Sequence, residues 1–169
     1  MSNNKDRMKK TYVFDTCVLA HDPLALESYP DADLVLCSSV LEELDKLKKI
    51  LDEAGKNARS FVRWLDEKSE GKDLSGIELE NGSILKIDLN QYDTSAFGTS
   101  LYGDHRILAC AAAITKAAKK KSEVILVTDD INMRLKARAA SIACIGHKAK
   151  KGSYGKIYSG SQVNYDMEL

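Results

Sequence analysis

Four acidic residues in this 169-residue chain stand where the backbone is expected to change direction. Asp15 ends the apolar run Tyr12, Val13, Phe14. Glu43 falls in the first turn of a segment opened by Ser39. Asp104 starts an Ala-rich stretch, and Asp130 follows the apolar residues 124–127 through Thr128 and Asp129. Four carboxylates on one rim would repel one another, and without a cation some would have to be protonated. Mg²⁺ or Mn²⁺ suits such a set, because hard cations prefer carboxylate and water oxygens. An ion held this way acidifies a bound water and stabilises the leaving oxygen of a phosphodiester. Taken singly, each acid has a plainer explanation, since capping and the helix dipole alone favour acids at helix starts. Only their joint placement points to chemistry.

The elements that must position these acids can be read from periodicity. Short β-prone runs at residues 12–14, 34–37, 84–89, 124–127 and 142–145 alternate with helical patterns. This alternation predicts an α/β fold in three layers, α/β/α, with a central, mainly parallel sheet and right-handed crossovers. Ligands of such sheets bind beyond the carboxyl ends of the strands, where Asp15 and Asp130 fall. Asp22-Pro23 is expected to open a short helix through about Tyr29. Ser39-Val40-Leu41-Glu42 fits a capping box. Leu41, Leu44, Leu47 and Leu51 then recur as the core stripe of an amphipathic helix. Gly55 is expected to end or bend that helix, with another over residues 57–68. Residues 70–83 read as loop or hairpin. Residues 90–103 lack a period, and a loop that long is often functional. Helices from Asp104 to about Lys120 and from Asp130 to about Ala140 complete the pattern. The expected organisation is an arm at residues 1–10, a folded domain at 11–146 and a Lys/Gly-rich tail or linker at 147–169.

Composition narrows the function classes. With 25 basic and 25 acidic side chains the formal net charge is +0, so any nucleic-acid binding must use local patches. A hydrophobic fraction of 44% fits one globular domain. Cys17, Cys37, Cys110 and Cys144 are widely spaced in apolar contexts, with no C-x-x-C pair, which favours reduced core residues over a disulfide framework or a zinc site. No secretory leader is visible, and no apolar stretch is long enough to span a bilayer. A cytoplasmic location is therefore expected.

Four segments in order resemble PIN domains, and most closely the N-terminal PIN domain of PhoH-like proteins: YVFDTCVL, SSVLEELDKLK, YGDHRILACA and VILVTDDINMRLKARA. With their spacing they cover most of residues 11–145. The resemblance implies a Mg²⁺- or Mn²⁺-dependent ribonuclease acting on single-stranded RNA. Matched residue by residue, it places Asp15, Glu43, Asp104 and Asp130 as catalytic and metal-binding acids. Glu42 is adjacent to the second position. Asp129 stands where the family pattern commonly has Asn, which leaves either Asp129 or Asp130 as the fourth acid. Thr128 would orient a neighbouring acid or water. The resemblance also implies a PhoH-like ATPase as partner, in cis or in trans; this chain carries no P-loop of its own. Whether the chain self-associates into a homo-oligomer stays open.

Positive charge for an RNA backbone is available in patches. Lys46, Lys48 and Lys49 follow Glu43, and Lys116, Lys119, Lys120 and Lys121 close the Ala-rich helix. Lys148, Lys150, Lys151 and Lys156 are interleaved with Tyr154 and Tyr158. Arg134, one turn after Asp130, is the better candidate for a phosphate near an ion, and Arg106 a weaker one. His105 beside Asp104 is more readily a packing residue than a base. Two other classes compete. One is a non-catalytic RNA-binding or protein-interaction module on the same fold. The other is a haloacid-dehalogenase-type phosphatase, whose Asp-x-Asp-x-Thr pattern fails because Cys17 replaces the second Asp.

Overall fold

The computed structural model describes residues 8–98, 103–119 and 122–148. The residues of the proposed tail beyond 148 and the lysines at 120 and 121 lie outside these, as do residues 1–7 of the proposed arm and 99–102 of the aperiodic loop.

Six strands form one sheet: β1 (Lys9–Phe14), β2 (Asp33–Cys37), β3 (Ile77–Glu78), β4 (Ile84–Asp88), β5 (Ser122–Val127) and β6 (Ala143–Ile145). Their order is β3-β4-β2-β1-β5-β6, parallel except for β3 against β4. The helices are α1 (Thr16–His21), α2 (Ser38–Leu47), α3 (Glu53–Ser69), α4 (Gly103–Ala117) and α5 (Ile131–Ala139). From β1 the chain steps one way, to β2 and β4. It then returns past β1 to β5 and β6. Right-handed crossovers therefore put α1, α2 and α3 on one face and α4 and α5 on the other. The three-layer α/β/α arrangement follows, with its topological switch point between β1 and β5.

The central strands are buried on both faces, as parallel strands between helix layers must be. Val13, Phe14, Leu34, Leu36, Leu126 and Val127 have no solvent exposure. Phe14 pairs in register with Val127, and Cys37 with Asp88. The carboxyl ends of β1, β2, β4 and β5 thus form one rim.

Several local expectations are corrected. α2 starts at Ser38, with Cys37 in the N-cap position, so the capping box at Ser39 is two residues out of register. Ser39 is buried and its hydroxyl lies 3.0 Å from the Cys37 sulfur. α2 stops at Leu47, and Leu51 is 96% exposed instead of extending the core stripe. The turn that stops it is held by Arg59, whose Nη1 donates to the carbonyls of Lys48 (2.7 Å) and Ile50 (3.1 Å). Gly55 terminates nothing. It lies in the first turn of α3, where its N–H donates to the N-cap Asp52 at 2.7 Å. A Cβ there would sit 1.8 Å from the Ile50 carbonyl oxygen, so only glycine fits. Asp22 closes α1, which the periodicity does not announce, and the chain continues as a 3-10 turn at Ala25–Ser28.

Candidate active site

Asp15 stands one step beyond the Phe14–Val127 pair, at the switch point, in the N-cap position of α1 but with its side chain turned to other partners. Its N–H donates to the Val127 carbonyl at 3.0 Å, which locks the end of β1 to β5. Its side chain is nearly inaccessible, at 4% exposure. The Thr128 hydroxyl, one step beyond the end of β5, donates to Asp15 Oδ2 at 2.6 Å, and the Cys17 thiol donates to the same oxygen at 3.3 Å. Thr128 in turn accepts from the Asp130 N–H at 3.1 Å. Burial raises the Asp15 carboxyl above its ordinary range. The Thr128 and Cys17 hydrogen bonds oppose that, and the Asp104 charge adds to it. Burial and the Asp15 charge push the Cys17 thiol up to about 12, so it remains a donor.

Glu43 comes from the first half of α2 and is partly buried. Burial raises its carboxyl, the neighbouring Asp15 and Asp104 charges raise it further, and Lys46 moderates the effect. The Thr16 hydroxyl lies alongside and eases the Glu43 charge. That hydroxyl is buried and has no partner at full hydrogen-bonding geometry, so it stands close to Glu43 without completing the bond. Glu43 also overlies the start of α4. A Cβ on Gly103 would fall 1.7 Å from Glu43 Oε1, so the carboxylate occupies the space that a glycine leaves. Asp104 is the next residue of α4.

Of the two adjacent glutamates, only Glu43 joins Asp15 and Asp104. Glu42 takes Arg106 with both oxygens, at 2.5 and 3.2 Å, and Arg106 also donates to the Ser38 hydroxyl at 3.1 Å. The Arg106 hydrogen bond and charge hold Glu42 below its usual range. Arg106 is therefore occupied as a strut between α2 and α4.

The aspartates after β5 diverge. Asp130 caps α5, accepting from the N–H groups of Asn132 (2.8 Å) and Met133 (3.4 Å). It shares the rim and reaches Asp15 through Thr128, while its carboxylate stays exposed. Asp129 turns elsewhere. Its Oδ1 accepts from the Lys148 N–H at 3.0 Å, and its Oδ2 is buried without a partner. Nearby, buried His147 bridges the Tyr29 hydroxyl (2.9 Å) and Asp22 (2.8 Å). Asp129 thus serves the docking of the segment after β6.

Among the surrounding cations, Lys46 is exposed beside Glu43, whereas Lys48 and Lys49 pair with Asp45. Arg134 spends Nη1 on the Thr128 carbonyl at 2.9 Å. Buried His105 lies 3.2 Å from Lys136 through Nε2, a packing contact between α4 and α5. Lys116 and Lys119 lie at the far end of α4 from Asp104.

Two observations bear on whether a divalent cation fits here. Asp15, Glu43 and Asp104 are all hard oxygen donors, and burial with the neighbouring acidic charges disfavours the ionised forms of Asp15 and Glu43, a conflict a cation relieves. Among the described residues, however, no three His, Cys, Asp or Glu side chains already converge as a ligand set. The donors fit the ion chemically, and coordination would require their side chains to draw together. Sequence reasoning missed Cys17, Thr16 and Gly103. The Asp-Thr-Cys order and the glycine just before Asp104 were the available signals. Cys17 in particular is only half-buried and bonded to Asp15, not a plain core thiol.

No helix among the described residues is long and apolar enough to cross a membrane. Residues 12–148 match the family described as PIN domain. The chain is 34% identical over 142 residues to Protein PhoH2 of Bacillus subtilis, covering 80% of this chain and 32% of that protein. It is 31% identical over 147 residues to Protein PhoH2 of Mycolicibacterium smegmatis, covering 83% of this chain and 33% of that protein. The chain thus spans about a third of the length of these relatives. A domain of a functionally unknown protein from Methanocaldococcus jannaschii superposes with a TM-score of 0.55 at 21% identity, over 82% of this chain and 90% of that one. That likeness bears on the fold alone. The chain belongs to the PIN domain family, whose members are generally nucleases.

Proposed function

We propose that this domain is an endoribonuclease that hydrolyses phosphodiester bonds of single-stranded RNA with the help of Mg²⁺ or Mn²⁺. The observation that carries this reading is that acids from three distant segments come together beside the switch point of the sheet, the Asp104 charge raising the Asp15 carboxyl and the Asp15 and Asp104 charges raising that of Glu43. These three would hold the ion, with Asp130 next along the rim as the fourth acid. When bound, such a cation supplies Lewis acidity toward the phosphodiester and a more acidic water. Thr128 fixes the Asp15 carboxylate by a short hydrogen bond, so that acid is oriented before substrate arrives. Exposed Lys46 and the remaining donors of Arg134 flank the acids and would meet backbone phosphates. The family resemblance further supports a PhoH-like ATPase, in cis or in trans, as a partner.

A second reading has its own support. Because no three ligands already converge among the described residues, a non-catalytic RNA-binding or protein-interaction module on this fold is the competing function. Cleavage of a fluorescent single-stranded RNA by the purified chain separates the two. The nuclease reading expects cleavage with Mn²⁺, none with EDTA, and loss of cleavage in Asp15→Asn with the fold intact. RNA binding without cleavage at any Mn²⁺ concentration, or unchanged cleavage by Asp15→Asn, overturns it.

A further inference from the structure

Beside the acids stands a polar side chain for which the family chemistry above has no role. Cys17 follows Asp15 by two residues, within the first turn of α1. Its thiol donates to Asp15 Oδ2 at 3.3 Å and lies 3.7 Å from the Thr128 hydroxyl oxygen. Thr128 donates to that same Oδ2 at 2.6 Å. One carboxylate oxygen therefore receives two donors, from two different strand ends. A carboxylate oxygen has two lone pairs, so Oδ2 is saturated and the plane of the group is fixed. The Thr16 N–H also favours the charged carboxyl, but Thr128 alone would leave Oδ2 with one lone pair unfilled and more freedom to turn about that bond. The second donor removes that freedom, as outer hydrogen bonds do for acids that hold metals.

We infer that Cys17 is a positioning residue for Asp15: with Thr128 it pins Oδ2 and leaves Oδ1 as the oxygen that Asp15 offers to a divalent cation. The part concerning the cation rests on the proposed nuclease function, whereas the pinning itself does not. α1 supplies the required geometry. Its start at Thr16 turns the chain back at once, so the residue two beyond Asp15 faces the Asp15 carboxylate again.

The test compares Cys17→Ala, which deletes the donor, with Cys17→Ser, which keeps one. Mn²⁺ affinity of the purified chain is measured by calorimetry without RNA. Melting temperatures in EDTA are measured for Cys17→Ala, Asp15→Asn and the double variant. The expected result is a loss of Mn²⁺ affinity of about tenfold in Cys17→Ala. Cys17→Ser should stay close to the parent, and the melting shifts of the pair should be non-additive. Parental Mn²⁺ affinity in Cys17→Ala, or a loss in Cys17→Ser as large as in Cys17→Ala, overturns the assignment. If the parent chain itself binds no Mn²⁺, the nuclease reading fails and the melting cycle decides alone. Non-additive shifts then uphold the pinning of Asp15, and additive shifts overturn it.

Discussion

Replacing Gly103 by alanine should separate activity from stability. The added Cβ would lie 1.7 Å from Glu43 Oε1, where ordinary contact begins at 3.4 Å. The two nearest atoms are both in the carboxylate of a flexible side chain, so Glu43 yields and the backbone does not. The carboxylate must then retreat by on the order of 1.5 Å to restore contact distance. Gly103 is the first residue of α4, and alanine there costs the helix nothing; it favours it by up to about 1 kcal/mol. Moving Glu43 away from Asp15 and Asp104 also relieves some of their repulsion. Stability should hold or rise slightly. A misplacement of about 1 Å typically costs about 100-fold in rate, or about 2.7 kcal/mol in the barrier. The assay pairs urea unfolding in EDTA with Mn²⁺-dependent RNA cleavage. The expected outcome is an unchanged or higher urea midpoint with kcat/KM lower by about two orders of magnitude. Parental cleavage by a well-folded Gly103→Ala would refute the placement of Glu43 in the working site.

Three further outcomes follow from the same geometry. Asp15 is raised by burial in the fold, so between the ordinary carboxylate range and its raised value the folded chain binds more protons than the unfolded chain. Stability in EDTA should therefore fall as pH rises through that interval. Asp15→Asn removes this contribution, so it should be more stable than the parent at pH 7 by about 1.4 kcal/mol per unit of the raised pKa, the gap closing toward pH 4; urea midpoints across that range check it, and a pH-independent gap would contradict it. Glu43→Gln should abolish cleavage, whereas Glu42→Gln should leave kcat within a few-fold and weaken only the exposed Arg106 pair, by under about 1 kcal/mol, as paired cleavage and melting assays would show. Gly55→Ala puts its Cβ 1.8 Å from a backbone carbonyl, so it should destabilise by about 1–3 kcal/mol in urea unfolding, and an unchanged midpoint would count against that turn.

What the sequence discloses follows the strength of each local signal. Strands β1, β2 and β5 carry continuous apolar runs ended by polar residues, so their existence, and the acids that follow β1 and β5, can be read directly. That was enough to place Asp15 at the rim, with Glu43 and Asp104 on helices that start there. α1 is not legible, because six residues directly after a strand show no period of their own. Leu51 misleads because the 3.6-residue spacing continues past the residue where Arg59 ends the helix. The Glu42/Glu43 ambiguity could not be resolved in one dimension, since what separates the two is Arg106, 64 residues away on another helix. Asp129 is similar. Its partner is the Lys148 N–H, 19 residues downstream and beyond β6, and no local pattern reports that contact. His147 looked like part of a polar tail, yet it is 2% exposed against Tyr29 and Asp22.

Acids from distant segments are expected to share one divalent ion. A crystal of the chain soaked in Mn²⁺ and read for anomalous signal addresses it without recourse to activity. The expected result is a peak bonded to an Asp15 oxygen, with Glu43 and Asp104 drawn in around it. A saturating soak that leaves this rim without a peak, or places the ion where Asp15 does not touch it, would contradict a shared ion site.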